Sequence, residues 1–82
     1  MEAYNNLNYL KENPSVLVVD DEETICYALK KFLTDSGFHV SVAYDVLEAK
    51  ELINDRIFDV AVVDRMLPDG QNGIDLIKLL RE

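Results

Sequence analysis

Hydrophobic residues in this chain alternate between short solid runs and stretches with helical spacing. The run Val16-Leu17-Val18-Val19 is apolar without alternation, the pattern of a parallel strand covered on both faces, and predicts a strand over about Ser15 to Val19. Pro14 can stand before it, because the first residue of a strand needs no ladder donor. Ile25, Leu29, Phe32 and Leu33 then recur at helical spacing and form one apolar stripe, predicting a helix over about Glu22 to Ser36. Glu22 and Glu23 suit its positive end, and Gly37 can close it at positive φ. Phe38, Val40 and Val42 alternate with His39 and Ser41, so the next strand should lie nearer a sheet edge, with His39 solvated. Asp45 and Glu48 form a D-x-x-E pair that opens a helix to about Asn54, with Val46, Ala49, Leu52 and Ile53 inward. Phe58 to Val63 is a third apolar strand. The turn-rich loop from Leu67 to Gly73 leads to a last helix, capped by Asn72 and carrying Ile74, Leu76, Ile77, Leu79 and Leu80. The order is βαβαβα, with right-handed parallel crossovers expected.

Residues 1–13 stand apart. They are polar and Asn-rich, and Asn13-Pro14 marks a boundary. Tyr4, Leu7 and Leu10 recur every three residues, so this extension reads either as a short helical arm or as a frayed end.

Composition narrows the class. At 82 residues the chain is one domain at most, and 49% hydrophobic content is ordinary for a globular fold. A formal charge of -8 argues against nucleic-acid binding through its own surface, since no basic stripe is available to neutralise phosphates. The single cysteine, Cys26, excludes an internal disulfide and is expected to be an inert thiol on the first helix. No run approaches the ~20 apolar residues of a membrane span, and the first residues lack the pattern of a signal peptide. A soluble cytoplasmic protein without membrane contact is expected.

Candidate chemistry lies where strands end. The first strand runs into Asp20-Asp21 and the third into Asp64. If those strands are parallel neighbours, three carboxylates meet at the edge where open α/β sheets place their ligands. Converging carboxylates repel one another unless a proton or a hard cation sits among them, and all-oxygen ligation favours Mg²⁺ or Mn²⁺. A metal-held aspartate can act as a nucleophile towards a phosphoryl group. The same acids also read more plainly, Asp20 and Asp21 as helix-capping acids and Asp64 as a loop residue. Spacing alone does not separate the two readings.

The residues themselves go further. Val16-Leu17-Val18-Val19-Asp20-Asp21-Glu22, then Asp64-Arg65-Met66-Leu67-Pro68, then a glycine before an apolar helix, together resemble the receiver domain of two-component response regulators from about Ser15 onward. The resemblance implies an α/β, flavodoxin-like parallel sheet with helices on both faces, its three strands in the order 2-1-3. Residues 1–13 would be an N-terminal extension and residues 14–82 the N-terminal part of the receiver. It further implies that Asp64 is the phosphoacceptor, taking a phosphoryl group from a histidine kinase or phosphotransfer protein. Asp21 would bind Mg²⁺ directly, Asp20 through its carboxylate or a water, and Met66 through its backbone carbonyl; Pro68 would shape the loop behind the site. Such a protein is a substrate that assists its own modification, not an enzyme. The sub-type suggested by Arg65 to Gly70 is the receiver attached to transcriptional activators.

Two departures from the family pattern follow. Gly73 lies five residues after Pro68, where the usual spacing is four, so the loop carries one extra residue. The family fold has five strand–helix units and this chain holds three, without the hydroxyl residue, lysine and switch aromatic of the later units. Its third strand is then expected to be an exposed apolar edge that pairs with another copy, giving a homodimer, exchange of elements or aggregation. Two other functions are compatible with the acids. One is a non-phosphorylated pseudo-receiver acting as an interaction module. The other is an aspartyl-nucleophile phosphohydrolase, which wants a second acid shortly after the first, and Asp64-Arg65-Met66 offers none.

Overall fold

A computed structural model of the chain describes residues 2–5, 13–64 and, singly, 73, 76 and 78. Its elements are β1 (Glu2–Asn5), β2 (Ser15–Val19), α1 (Glu23–Asp35), β3 (His39–Ala43), α2 (Val46–Asp55) and β4 (Val60–Val63). They form one sheet in the order β1-β4-β2-β3. Strand β2 runs parallel to both neighbours, with Val19 opposite Ala43 on one side and Val63 on the other. The three predicted strands therefore take the expected 2-1-3 order as β3-β2-β4, in the α/β flavodoxin-like arrangement.

Alternation along the buried strands sorts the core into two layers. Leu17, Val19, Ala61 and Val63 pack with Val46, Ala49 and Phe58 on the α2 side, joined by Leu76. Val16 and Val18 pack with Cys26, Leu29 and Leu33 on the α1 side. Helix α1 adjoins β2 and β3, and among the described elements it does not reach β4. Val60 and Val62 are accordingly only half-buried. Phe32 departs from its expected place in the inward stripe: it is 67% exposed, and Cys26 fills the inward position at the helix start.

Local chemistry explains the helix limits. Gly37 at φ 99° lets its amide donate to the Thr34 carbonyl and the Phe38 amide to the Leu33 carbonyl, both at 3.0 Å. Phe38 and Leu33 then pack in the same core layer, completing a Schellman closure of α1. At the start of α2 the Asp45 side chain accepts from the Glu48 amide at 2.8 Å. Glu48 reaches back to accept from the Tyr44 amide at 2.7 Å, one residue earlier than the usual reciprocal box. Gly73, Leu76 and Lys78 have helical backbone where the last helix is expected; its capping by Asn72 lies outside the described residues.

The described part of the amino-terminal extension departs from both expectations, while Leu7 and Leu10 of the expected arm lie outside the described residues. Residues 2–5 are neither helical nor frayed but form β1, antiparallel to β4 from Glu2 opposite Val63 to Asn5 opposite Val60. The expected open edge is therefore covered along all of β4, and the edge-driven homodimer loses its premise in this fold. The reason is general: a strand edge presents unpaired N–H and C=O groups that pair with any extended backbone in reach, and the chain supplies one itself. Among the described residues, no helix is long and apolar enough to cross a membrane.

Candidate functional site

Ladder hydrogen bonds carry the two strands past their last residues and place the acids. The Asp20 amide donates to the Ala43 carbonyl oxygen at 3.1 Å, and the Asp64 amide donates to the Val19 carbonyl oxygen at 2.8 Å. Both aspartates thus leave the same end of the sheet on fixed backbone. Asp20 is 3% exposed, Asp64 half-buried and Asp21 exposed. One carboxylate oxygen from each of Asp20, Asp21 and Asp64 can be chosen so that all lie within 4.8 Å of one another. The convergence anticipated from strand adjacency is present in the fold.

Asp20 also serves the backbone. Its Oδ1 accepts from the Glu22 amide at 3.0 Å, at the start of α1, where Glu22 itself makes no side-chain cap bond. This bond closes an Asx turn just ahead of α1 and is not a cap on the helix's own first-turn amides; it does not compete with the cluster, since a carboxylate has several acceptor sites. The Cys26 thiol donates to the Asp20 carbonyl oxygen at 3.2 Å. Burial pushes this thiol up from its usual ionisation range, and the negative charge of Asp20 pushes it further. Cys26 stays protonated and supports the turn that carries the acids.

The donor set suits a hard divalent cation. Oxygens on opposite sides of a bound Mg²⁺ stand about 4 Å apart, so small side-chain rotations would bring this cluster onto one ion. Exposed Asp21 is free to make such an adjustment, and the buried Asp20 is held by its bond to Glu22. Met66, expected to offer a carbonyl, and Pro68 lie outside the described residues.

Gly73 is a residue whose role the sequence did not reveal. A Cβ there would run into the backbone carbonyl oxygen of Asp64 and stand 2.8 Å from Val63 Cγ1. Only a residue without a side chain lets the last helix lie this close to the strand end that carries Asp64. The sequence marked it as a turn glycine; the contact joins residues nine positions apart and has no local signature.

The sequence comparisons point the same way. Residues 16–82 match the family described as the response regulator receiver domain. The chain belongs to that family. Protein PetR of Rhodobacter capsulatus is 40% identical over 68 residues, which is 83% of this chain and 28% of that protein. The transcriptional regulatory protein CpxR of Escherichia coli is 42% identical over 67 residues, 82% of this chain and 28% of its own. The virulence transcriptional regulatory protein PhoP of Salmonella typhimurium is 42% identical over 66 residues, 80% of this chain and 29% of its own. This chain thus spans under a third of the length of each of these relatives. No solved structure gives a significant match.

Proposed function

We propose that this receiver accepts a phosphoryl group on Asp64 from the phosphohistidine of a histidine kinase or phosphotransfer protein, assisted by Mg²⁺ or Mn²⁺. The observation that carries the reading is the meeting of the Asp20, Asp21 and Asp64 carboxylates at one sheet end. Asp21 and Asp64 would hold the cation directly, with Asp20 alongside and the Met66 carbonyl completing the protein's share. When bound, the cation screens the negative charge of the incoming phosphoryl oxygens.

The rest falls to the chain. An Asp64 carboxylate oxygen attacks phosphorus in line with the phosphohistidine P–N bond. That bond breaks, its electron pair returns to the imidazole nitrogen, and an acyl phosphate forms on Asp64. Ladder bonding of the Asp64 amide holds the nucleophile's backbone through the exchange, so orientation costs little additional entropy. The receiver is consumed as a substrate and not turned over. Its place is the cytoplasm, where phosphohistidine donors and a reduced Cys26 are both at home. Output through transcription, as the names of the relatives suggest, would belong to the longer protein.

Incubation with a small-molecule phosphodonor and Mg²⁺, followed by intact-mass measurement, tests the assignment. A gain of one phosphoryl group by the wild-type chain and none by Asp64→Asn is expected. An equal gain by both chains, or no gain by either, overturns it.

A further inference from the structure

Strand β3 ends the sheet on the side away from β4, so its outer edge depends only on described residues and on the 2-1-3 order. Every second residue of β3 serves the ladder to β2. The His39 amide donates to the Pro14 carbonyl oxygen at 2.9 Å, and the Ala43 carbonyl oxygen accepts from the Asp20 amide at 3.1 Å. In a parallel ladder these two residues and Ser41 turn their backbone groups towards β2, which leaves the amides and carbonyls of Val40 and Val42 directed outward. Among the described elements no strand pairs with them. Beside this edge lies a groove of about 470 Å³, lined by Val42 and by Glu48, Glu51, Leu52 and Asp55 of α2. Its α2 wall is acidic. Arg56 meets Asp55 Oδ2 at 3.3 Å and Ser41 Oγ at 3.4 Å, whereas Glu51 makes no ion pair among the described residues.

An open edge takes an extended backbone, and its flanks choose the side chains. Side chains of a strand added to β3 alternate between the two faces of the sheet. On one face they lie beside Val40 and Val42, which pack in the α1 layer. On the other they lie beside the acids of α2. We infer that the β3 edge docks an extended cationic segment of a partner protein, with Lys or Arg at every second position and apolar residues between. Ladder bonds to Val40 and Val42 supply affinity, and the charges of Glu51 and Asp55 supply selection. A second copy of this chain is the wrong occupant. Two β3 edges paired antiparallel would put both α2 helices on the same face, so Glu51 and Asp55 would stand beside the same acids of the copy.

Amide-resolved NMR titration of the full chain tests the docking, and it needs neither phosphodonor nor metal. The probe is a seven-residue peptide of alternating lysine and valine, blocked at both ends. Shifts are expected to gather on β3, the Val40 and Val42 amides foremost, and on the Glu51 flank of α2. A peptide of the same composition with its lysines grouped should bind at least about threefold more weakly, and one with glutamate for lysine should not bind at millimolar concentration. N-methylation of alternate peptide residues removes ladder donors but keeps the charge, so in one of its two phases it should abolish binding. Glu51→Gln with Asp55→Asn should weaken binding at least about threefold at low salt. No shift at millimolar peptide overturns the docking. Equal binding by the grouped peptide, or shifts centred on Asp20, Asp21 and Asp64, would reduce it to attraction by net charge and overturn the edge. Unchanged affinity in the double variant overturns the acids' part.

Discussion

Asp59 shows what a single residue can decide. It interrupts the apolar run between Phe58 and Val60, yet it is only 5% exposed. Its Oδ2 accepts from the Ser15 amide at 2.9 Å while its own amide donates to the Ser15 carbonyl oxygen at 2.9 Å. The pair ties the start of β2 to the approach of β4, at the end of the sheet opposite the acid cluster. An acid inside an apolar run was the available signal, because a buried carboxylate persists only when hydrogen-bonded. Gly73 offers the sharper test. Gly73→Ala must push either the last helix or the Asp64 carbonyl aside. We expect a loss of about 1–3 kcal/mol, the usual range for an overpacked site. Urea unfolding with an unchanged m-value would measure it, and a change below about 0.5 kcal/mol, the range of ordinary surface substitutions, would contradict the close approach.

Among elements, those whose ends are written in local chemistry matched their predicted limits best. Helix α1 stops where Gly37 permits a Schellman closure, and α2 starts where Asp45 and Glu48 cap it. Asp45→Ala removes the acceptor of the Glu48 amide and should cost about 1 kcal/mol. Asp45→Asn, which keeps an acceptor oxygen, should recover most of it; equal losses in the two variants would deny the cap. The aromatic residues were harder to place. Phe32, expected in the inward stripe, is 67% exposed, and Tyr27 on the same helix is 73% exposed. Periodicity identifies a stripe but not its width. The inward positions near the helix start and middle went to Cys26 and Leu29, which turned Phe32 outward.

At the scale of the molecule, charge and topology meet at the acid cluster. A chain of formal charge -8 gathers three of its carboxylates at one sheet end, so a divalent cation binding there should stabilise the folded state by mass action. Melting temperature should rise with Mn²⁺ in the wild-type chain and rise far less in Asp21→Ala, monitored by circular dichroism. An identical rise in both chains would remove Asp21 from the ligand set. The family's later strand–helix units do not enter this expectation, because every group named in it lies on β2, on β4 or just after them.

The order of elements from β2 to β4, the limits of α1 and α2, and the candidate acids at the strand ends were legible in the sequence alone. Each depends on neighbours within a few residues: run lengths, 3.6-residue spacing, a capping pair, a glycine. Only the tertiary structure decided that residues 2–5 pair with β4, that Asp59 clamps Ser15, and that Gly73 lies against Asp64. Each of those contacts joins separate elements through at least one backbone group, and only the Asp59 clamp adds a side chain that the sequence displays. A backbone amide or carbonyl is the same at every position, so which of them meet is set by the folded sheet and leaves little trace in side-chain pattern.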